Sequence, residues 1–364
     1  MNSLGWRVCS LWPLTPDPTW LCDRTRHPYR DGEPFASLPG LGAFEYLRDC
    51  DDHERFGYTN GAALVDPSSG WIVQEPARLL QAGRIDIHSL LLPSCLDYLR
   101  VRCRRGGVQD VAEVISLRDA AEHNYYHFLI DIIGGRLRLA DELGLFPRVP
   151  ILVGRSALEQ RRYVRDIIRL MGLDRDQVVI QENLPGAAKW IRSKRLYFAD
   201  PSRQSLANYD YVRRALRVPD SDRASQRRIF LIREPRYGRG ISNLDAVRQV
   251  AKRFGFEIIQ TGDRSIEEQQ EMFSASRYVI GIHGAGLANL VFRKNAACSV
   301  LEIYPPSAKR PRFHFYYMAK VLGFQYEFML ASAAPEDAVQ SYKSNFDIDI
   351  DRLSSAMERM LERG

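Results

Sequence analysis

"YVIGIHGAGLANLVF", residues 278–292, decides how the rest of the chain is read. Tyr278 to Ile282 form an apolar run of strand length. The run passes directly into His283 and the small-residue turn Gly284, Ala285, Gly286, and then becomes apolar again at helical spacing. A buried strand, a bare turn and a helix start make one βα unit of a parallel sheet. Free backbone N–H groups and aligned peptide dipoles at such a turn form an anion site, and glycine lets a ligand approach the backbone closely. Tight packing of helix on strand would call for the same small residues, so the stretch alone leaves both readings open.

Working outward, the pattern repeats. Upstream lie "RIFLI" (228–232), "NLDAVRQVAKRFG" (243–255), "FEIIQ" (256–260) and "SIEEQQEMFSAS" (265–276); downstream lie "SVLEIY" (299–304), "RFHFYYMAKVLG" (312–323) and "QYEFML" (325–330). Strands alternate with amphipathic helices throughout, and Ser265 with Glu268 has capping-box spacing. An earlier alternation runs through "AEVISL" (112–117), "NYYHFLIDIIGGRLRLADELG" (124–144), "VPILVG" (149–154), "ALEQRRYVRDIIRLMG" (157–172), "QVVIQ" (177–181) and "KRLYFAD" (194–200). The polar "VPDSDRASQRR" (218–228) reads as a linker between them. The expectation is therefore two α/β domains, 111–220 and 228–345, followed by a C-terminal helix in 346–364. Residues 1–110 read as an irregular, β-leaning extension. It is rich in Pro, Gly, Asp and Arg to about residue 60, then has short strand-like pieces such as "AALVD", "GWIVQE" and "YLRVRC".

Composition narrows the function classes. The chain has 364 residues, 45% hydrophobic and 26% charged, with 51 Lys+Arg against 45 Asp+Glu for a net +6. That excess favours an anionic ligand but falls short of a nucleic-acid binder, and the basic residues are scattered in short clusters. The six cysteines form no CxxC pair, so neither a zinc site nor a disulfide framework is expected. The N-terminus lacks the apolar core of a signal peptide, and no stretch is long enough to cross a bilayer. A cytoplasmic protein is expected, with a peripheral position at the inner membrane left open.

Three further stretches carry chemistry. "LEIYPP" places Glu302 at the end of the next strand, where its carboxylate is either a ribose-hydroxyl acceptor or a solvated charge. "LIREPRYGRGISN" (231–243) offers Arg233 and Arg239 for bidentate grip of a diphosphate and Asn243 as a helix cap; a plain basic surface loop is the alternative. "HNYYHFLID" (123–131) puts His123, His127 and Asp131 at i, i+4 and i+8, on one face of a helix. A His–Asp pair there can take a proton from an alcohol. A metal site matches poorly without HExxH, and satisfied core polar groups remain an alternative. "DIDID" (347–351) reads as capping of the last helix. GxxxxGK[ST] and a strand-linked GxGxxG are both absent, which argues against a P-loop or an ordinary nicotinamide site.

Together, "HNYYHFLID", "REPRYGRGISN", "EEQQEMFSASRYVIGIHGAGLANLVF", and "LEIYPP" followed by "FYYMAKVLGFQY" resemble glycosyltransferase family 61 over residues 110–330. The Gly281–Asn289 element is the most specific of these. The resemblance implies a GT-B fold: two Rossmann-like domains facing across a cleft, with the C-terminal one holding the nucleotide-sugar. It also implies inverting transfer with no metal and no cofactor beyond the nucleotide-sugar substrate. Carried over, Arg233, Arg239, Asn243 and the turn His283, Gly284, Ala285, Gly286 would hold the donor. Glu302 would take the ribose, and Asp131 or His127 would be the base. The pattern departs from the family's at Gly240 and Leu244. The acceptor would be a glycan or lipid-linked saccharide, in bacterial surface polysaccharide synthesis, with no nucleic-acid partner. The rival reading is a non-catalytic nucleotide- or nucleic-acid-binding α/β protein.

Overall fold

The computed structural model describes residues 9–10, 18–26, 52–74, 78–80, 107–201, 204–220, 225–233, 238–294, 297–306, 314–333 and 344–363. It divides into two compact units, Met1–Val212 and Arg213–Gly364. The division falls inside a helix, Leu206–Ala215, rather than in the polar linker expected after it.

The first unit is built on one sheet. Strands β1 (Cys9–Ser10), β2 (Thr19–Arg26), β3 (Asp52–Tyr58), β4 (Ala63–Val65), β5 (Ile72–Gln74) and β6 (Arg78–Leu80) precede β7 (Val108–Ser116), β8 (Ile151–Gly154), β9 (Val178–Gln181) and β10 (Trp190–Asp200). The last four are parallel in the spatial order β9-β8-β7-β10. In chain order that is 3-2-1-4, the opening of the Rossmann arrangement. The other edge of β10 is covered by antiparallel β4 and β3.

The described strands of residues 1–110 are part of the sheet. The eleven residues of β10 leave a long second edge that short β-leaning segments fill. Ala63, Val65 and Ile72 share an apolar core with Val114, Leu152, Ile191 and Phe198. Arg138, wholly buried, ties the N-terminal region down from the other side, bonding Glu54 of β3, Glu142 at 2.7 Å and Asn208 at 2.8 Å. The piece "YLRVRC" and Cys50, Cys95 and Cys103 lie outside the described residues.

Helix α1 (His127–Leu137) is π-wound and continues as α2 (Arg138–Glu142); the Arg138 N–H bonds the Ile133 carbonyl five residues back. The helix expected over 157–172 is split at Arg161, which is extended, into α3 (Arg155–Gln160) and α4 (Arg162–Leu170).

The second unit holds the cleaner sheet. Its strands β11 (Arg227–Leu231), β12 (Glu257–Ile259), β13 (Ser276–Ile282), β14 (Ser299–Tyr304) and β15 (Gln325–Leu330) are all parallel, in the order β12-β11-β13-β14-β15. In chain order that is 2-1-3-4-5, the flavodoxin-like doubly wound order. With α5 being Leu206–Ala215, the helices that follow are α6 (Leu244–Arg253), α7 (Ile266–Ala275), α8 (His314–Leu322) and α9 (Ile350–Glu362). Helix α9 is not a separate appendage: Leu353, Met357 and Met360 share one core with Phe230, Val247, Ile280 and Ile303.

Local signals explain the helix starts. Ser265 accepts from the Glu268 N–H at 3.2 Å while the Glu268 carboxylate accepts from the Ser265 N–H at 2.6 Å, a complete capping box on α7. Asp349 caps α9 by accepting from the Arg352 N–H at 3.0 Å, as read from "DIDID". Residues Ala285–Phe292 form a 3-10 helix rather than an α-helix. They lie tight against β13: a Cβ on Gly281 would sit 2.5 Å from Leu287 Cδ2.

Candidate functional site

Open parallel sheets bind ligands beyond the carboxyl ends of their strands, where the strand order reverses direction. In the second unit that point lies between β11 and β13. The chain leaves β11 through Ile232 and Arg233, and leaves β13 through His283 and Gly284. The two exits meet. A Cβ on Gly284 would fall inside contact distance of Arg233 Nη1, so the absent side chain is what lets this guanidinium lie on the turn. Arg239 donates from Nη1 to the His283 carbonyl at 2.5 Å. It does so from a left-handed backbone with φ 61, a conformation that costs a non-glycine residue about 1–3 kcal/mol and tends to occur at functional sites.

The two glycines of the turn meet different neighbours. Gly284 admits Arg233, whereas Gly286 serves packing, since a Cβ there would lie 3.0 Å from Leu231 Cδ2 and 3.3 Å from Thr261 Oγ1. Ala285 opens the 3-10 helix, whose first N–H groups face the turn.

Two sequence expectations change here. Asn243 occupies the N-cap position of α6 but makes no side-chain cap bond. Its amide donates to the Ile348 carbonyl at 2.8 Å and accepts from the Ile348 N–H at 3.0 Å, tying the loop to the C-terminal segment. Glu302 does not present a carboxylate to the rim. It is 0% exposed, and its oxygens accept from His283 Nδ1 at 2.5 Å, Tyr326 OH at 2.5 Å and Tyr304 OH at 3.2 Å. The His283 ring stacks on Tyr304 with centroids 4.7 Å apart, and Phe315 meets it edge-on at 5.8 Å. Burial, reinforced by Glu302 and Tyr304, pushes the Tyr326 phenol well above its ordinary range, so it stays a donor. Sequence reading gave Tyr304 and Tyr326 no role. Tyr304 was findable, because it lies two residues from Glu302 on the same strand face.

In the first unit the reversal falls between β7 and β10. Past β7 come Arg118, Asp119 and a turn, and then α1. Arg118 is 1% exposed and donates to Glu122 and the Pro67 carbonyl at 2.8 and 2.9 Å. Arg136 of α1 reaches back to the Arg118 carbonyl at 2.6 Å and to Asp119. These buried arginines, which sequence reading missed, fix the start of α1. Its far side is held by Gly134 and Gly135: a Cβ on Gly135 would sit 2.5 Å from Pro201 Cβ.

On this helix His127 Nδ1 lies 2.7 Å from Asp131 Oδ2, with the two side chains 24% and 20% exposed. Facing a carboxylate, Nδ1 carries the ring proton and Nε2 is the accepting nitrogen. His123 departs from the expected shared helical face. It belongs to the turn before α1, and its Nε2 lies 3.2 Å from Ser156 Oγ of α3. Burial holds its imidazole below the usual range; Glu122 opposes this, and Arg161 and Arg118 add to it.

A groove between β15 and α9, lined by Glu327, Phe328, Asp351 and Arg359 among others, contains none of these residues. Among the described residues no three His, Cys, Asp or Glu side chains gather as a metal-holding group, and no helix is long and apolar enough to cross a membrane.

No curated protein matches the sequence. The family model Glycosyltransferase 61 matches residues 125–301. That span includes His127, Asp131, Arg233, Arg239, Asn243 and the 283–286 turn, and it stops one residue short of Glu302. Both strand-order reversals thus carry residues of the matched span, and over residues 125–301 the chain is similar to glycosyltransferase family 61.

Proposed function

We propose that the protein is an inverting, metal-independent glycosyltransferase, moving a sugar from a nucleotide-sugar to a hydroxyl of a glycan or lipid-linked saccharide. In this reading the second unit holds the donor and the first supplies the base, in a GT-B arrangement. The enzyme works in bacterial surface polysaccharide synthesis on the cytoplasmic side, with peripheral contact to the inner membrane.

The observation that carries the reading is the meeting of Arg233 and Arg239 on the His283–Gly284 turn at the strand-order reversal. A departing nucleoside diphosphate gathers negative charge as the glycosidic bond to it breaks. Preorganised guanidinium and backbone N–H donors stabilise that charge most when they need not reorganise. Arg239 is held by its strained backbone and its bond to His283, so little reorganisation remains.

Across the reaction, the acceptor hydroxyl must lose a proton as its oxygen attacks the anomeric carbon. His127 Nε2 takes that proton, and Asp131 holds the tautomer and steadies the imidazolium that forms. The base is thus the dyad, with His127 as the atom-bearing partner.

A thermal-shift panel of nucleotide-sugars tests the donor half: one nucleotide class should raise the melting temperature by mass action. A flat response to every donor removes the reading. Turnover in excess chelator tests metal independence, and loss of activity that returns with a divalent cation would overturn it.

A further inference from the structure

We infer that Asn345 is a positioning residue that holds Arg239 through the backbone of Gly240, as part of a clamp that residues 345–348 close on the 240–243 loop. The inference rests on the donor-binding reading above. Arg239 has a left-handed backbone at φ 61 and follows Gly238, itself left-handed at φ 71. Glycine takes that conformation freely, whereas an arginine keeps it only where its surroundings over-determine it. Here the surroundings come from far along the chain. The Gly240 N–H donates to Asn345 Oδ1 at 2.9 Å, and the Gly240 carbonyl accepts from the Phe346 N–H at 3.0 Å. The Ser242 N–H donates to the Phe346 carbonyl at 2.9 Å, and Ile241 and Phe346 form a parallel bridge. Asn243 completes the set through its two bonds to the Ile348 backbone.

The first of these bonds bears most directly on Arg239. The Gly240 N–H lies in the planar peptide unit that follows Arg239, so holding it restricts the ψ angle of Arg239 and the direction in which its side chain leaves the loop. The clamp has its own footing. Phe346 and Ile348 are 0% and 1% exposed and share a core with Val247, Leu353 and Met357. On its other edge β17 (Phe346–Asp347) pairs antiparallel with β16 (Ser332–Ala333). Core and sheet thus fix the segment, and its backbone and the Asn345 amide reach the loop. Asn345 itself is exposed, so removing its amide tests the bond without opening the core.

A double-mutant cycle tests the coupling. UDP, GDP and CDP are titrated against the wild type, Asn345→Ala, Arg239→Gly and the double variant. Arg239→Gly deletes the guanidinium and leaves a residue that holds the left-handed turn without help. Asn345→Ala should weaken the tightest-binding nucleotide about three- to tenfold in the wild-type background, the effect of one hydrogen bond, and less than about twofold on Arg239→Gly. An equal loss in both backgrounds would make Asn345 a ligand contact or a general structural residue. No loss in the wild-type background would make Arg239 self-supporting. Either result overturns the inference. If Asn345→Ala fails to fold, the shorter Asn345→Ser replaces it, with the same pattern expected. If the wild type binds none of the nucleotides, the functional reading has failed, and amide hydrogen exchange decides the positioning separately. The same measurement decides if Arg239→Gly binds too weakly to titrate. The Gly240 amide should exchange about three- to tenfold faster in Asn345→Ala than in the wild type, while the amides of β13 keep their rates. An unchanged Gly240 rate overturns the inference.

Discussion

The two units each hold a histidine against a carboxylate, and the pairs differ mainly in burial. His127 and Asp131 are 2.7 Å apart with about a fifth of each side chain in solvent, whereas His283 and Glu302 are 2.5 Å apart and almost sealed. In the proposed reading the first pair exchanges a proton with an acceptor hydroxyl, and the solvent exposure of its ring is what favours that role. The second cannot serve as a proton carrier without disturbing the two phenols that donate to its carboxylate. On the proposed reading the same two residue types serve as a base in one place and a strut in the other, and burial separates them.

The sharpest way to break that contrast is Asp131→Asn. An amide can donate to Nδ1 and so stabilise the wrong tautomer of His127, removing Nε2 as acceptor. Turnover should fall about 10²–10⁴-fold with nucleoside-diphosphate affinity within about twofold, measured by kcat and by calorimetric titration. Retained turnover would move the base elsewhere.

A second comparison lies within the donor turn. Gly284→Ala should displace the Arg233 guanidinium, the far end of a flexible side chain, so the fold should survive while donor affinity drops about tenfold or more. Gly281→Ala instead pushes on Leu287, which is wholly buried against β13, and should cost about 1–3 kcal/mol of stability with a smaller effect on affinity. Melting temperature and nucleotide titration on both variants give the crossed pattern. If both variants lose affinity alike, Gly284 is only a packing glycine.

How much of this was legible beforehand follows the range of the contacts. The parallel strands were readable because strands buried on both faces are continuous apolar runs, and "YVIGI" and "SVLEIY" are β13 and β14 almost to the residue. The His127–Asp131 pair was readable because four residues bring side chains together on α- and π-wound turns alike. What failed depended on distant partners. The early antiparallel strands reach the sheet through β3 and β4, which pair with the distant β10, Val65 lying opposite Ile191. Asn243 turns to Ile348, and Glu302 turns inward because β15 brings Tyr326 beside it. A strand-end carboxylate looks the same in sequence whether the next strand offers it a phenol or water.

The smallest expected effect concerns the third histidine, which has no carboxylate at bonding distance. His123 faces Ser156 Oγ at 3.2 Å, and Glu122 is 4.0 Å away. Burial holds its folded pKa below the ordinary histidine value, with Glu122 opposing and Arg161 and Arg118 assisting. The unfolded chain then binds the proton more readily than the folded one, so His123 contributes stability that is fully present above about pH 6.5 and is lost as pH falls below it. With a third of the ring in solvent, the difference should stay under about 1 kcal/mol. His123→Gln keeps a polar partner for Ser156 and should flatten the rise in denaturant-derived stability between pH 5 and 7. If that rise is the same in both proteins, His123 does not titrate differently on folding. The contrast among the three histidines would then rest on the two carboxylates alone.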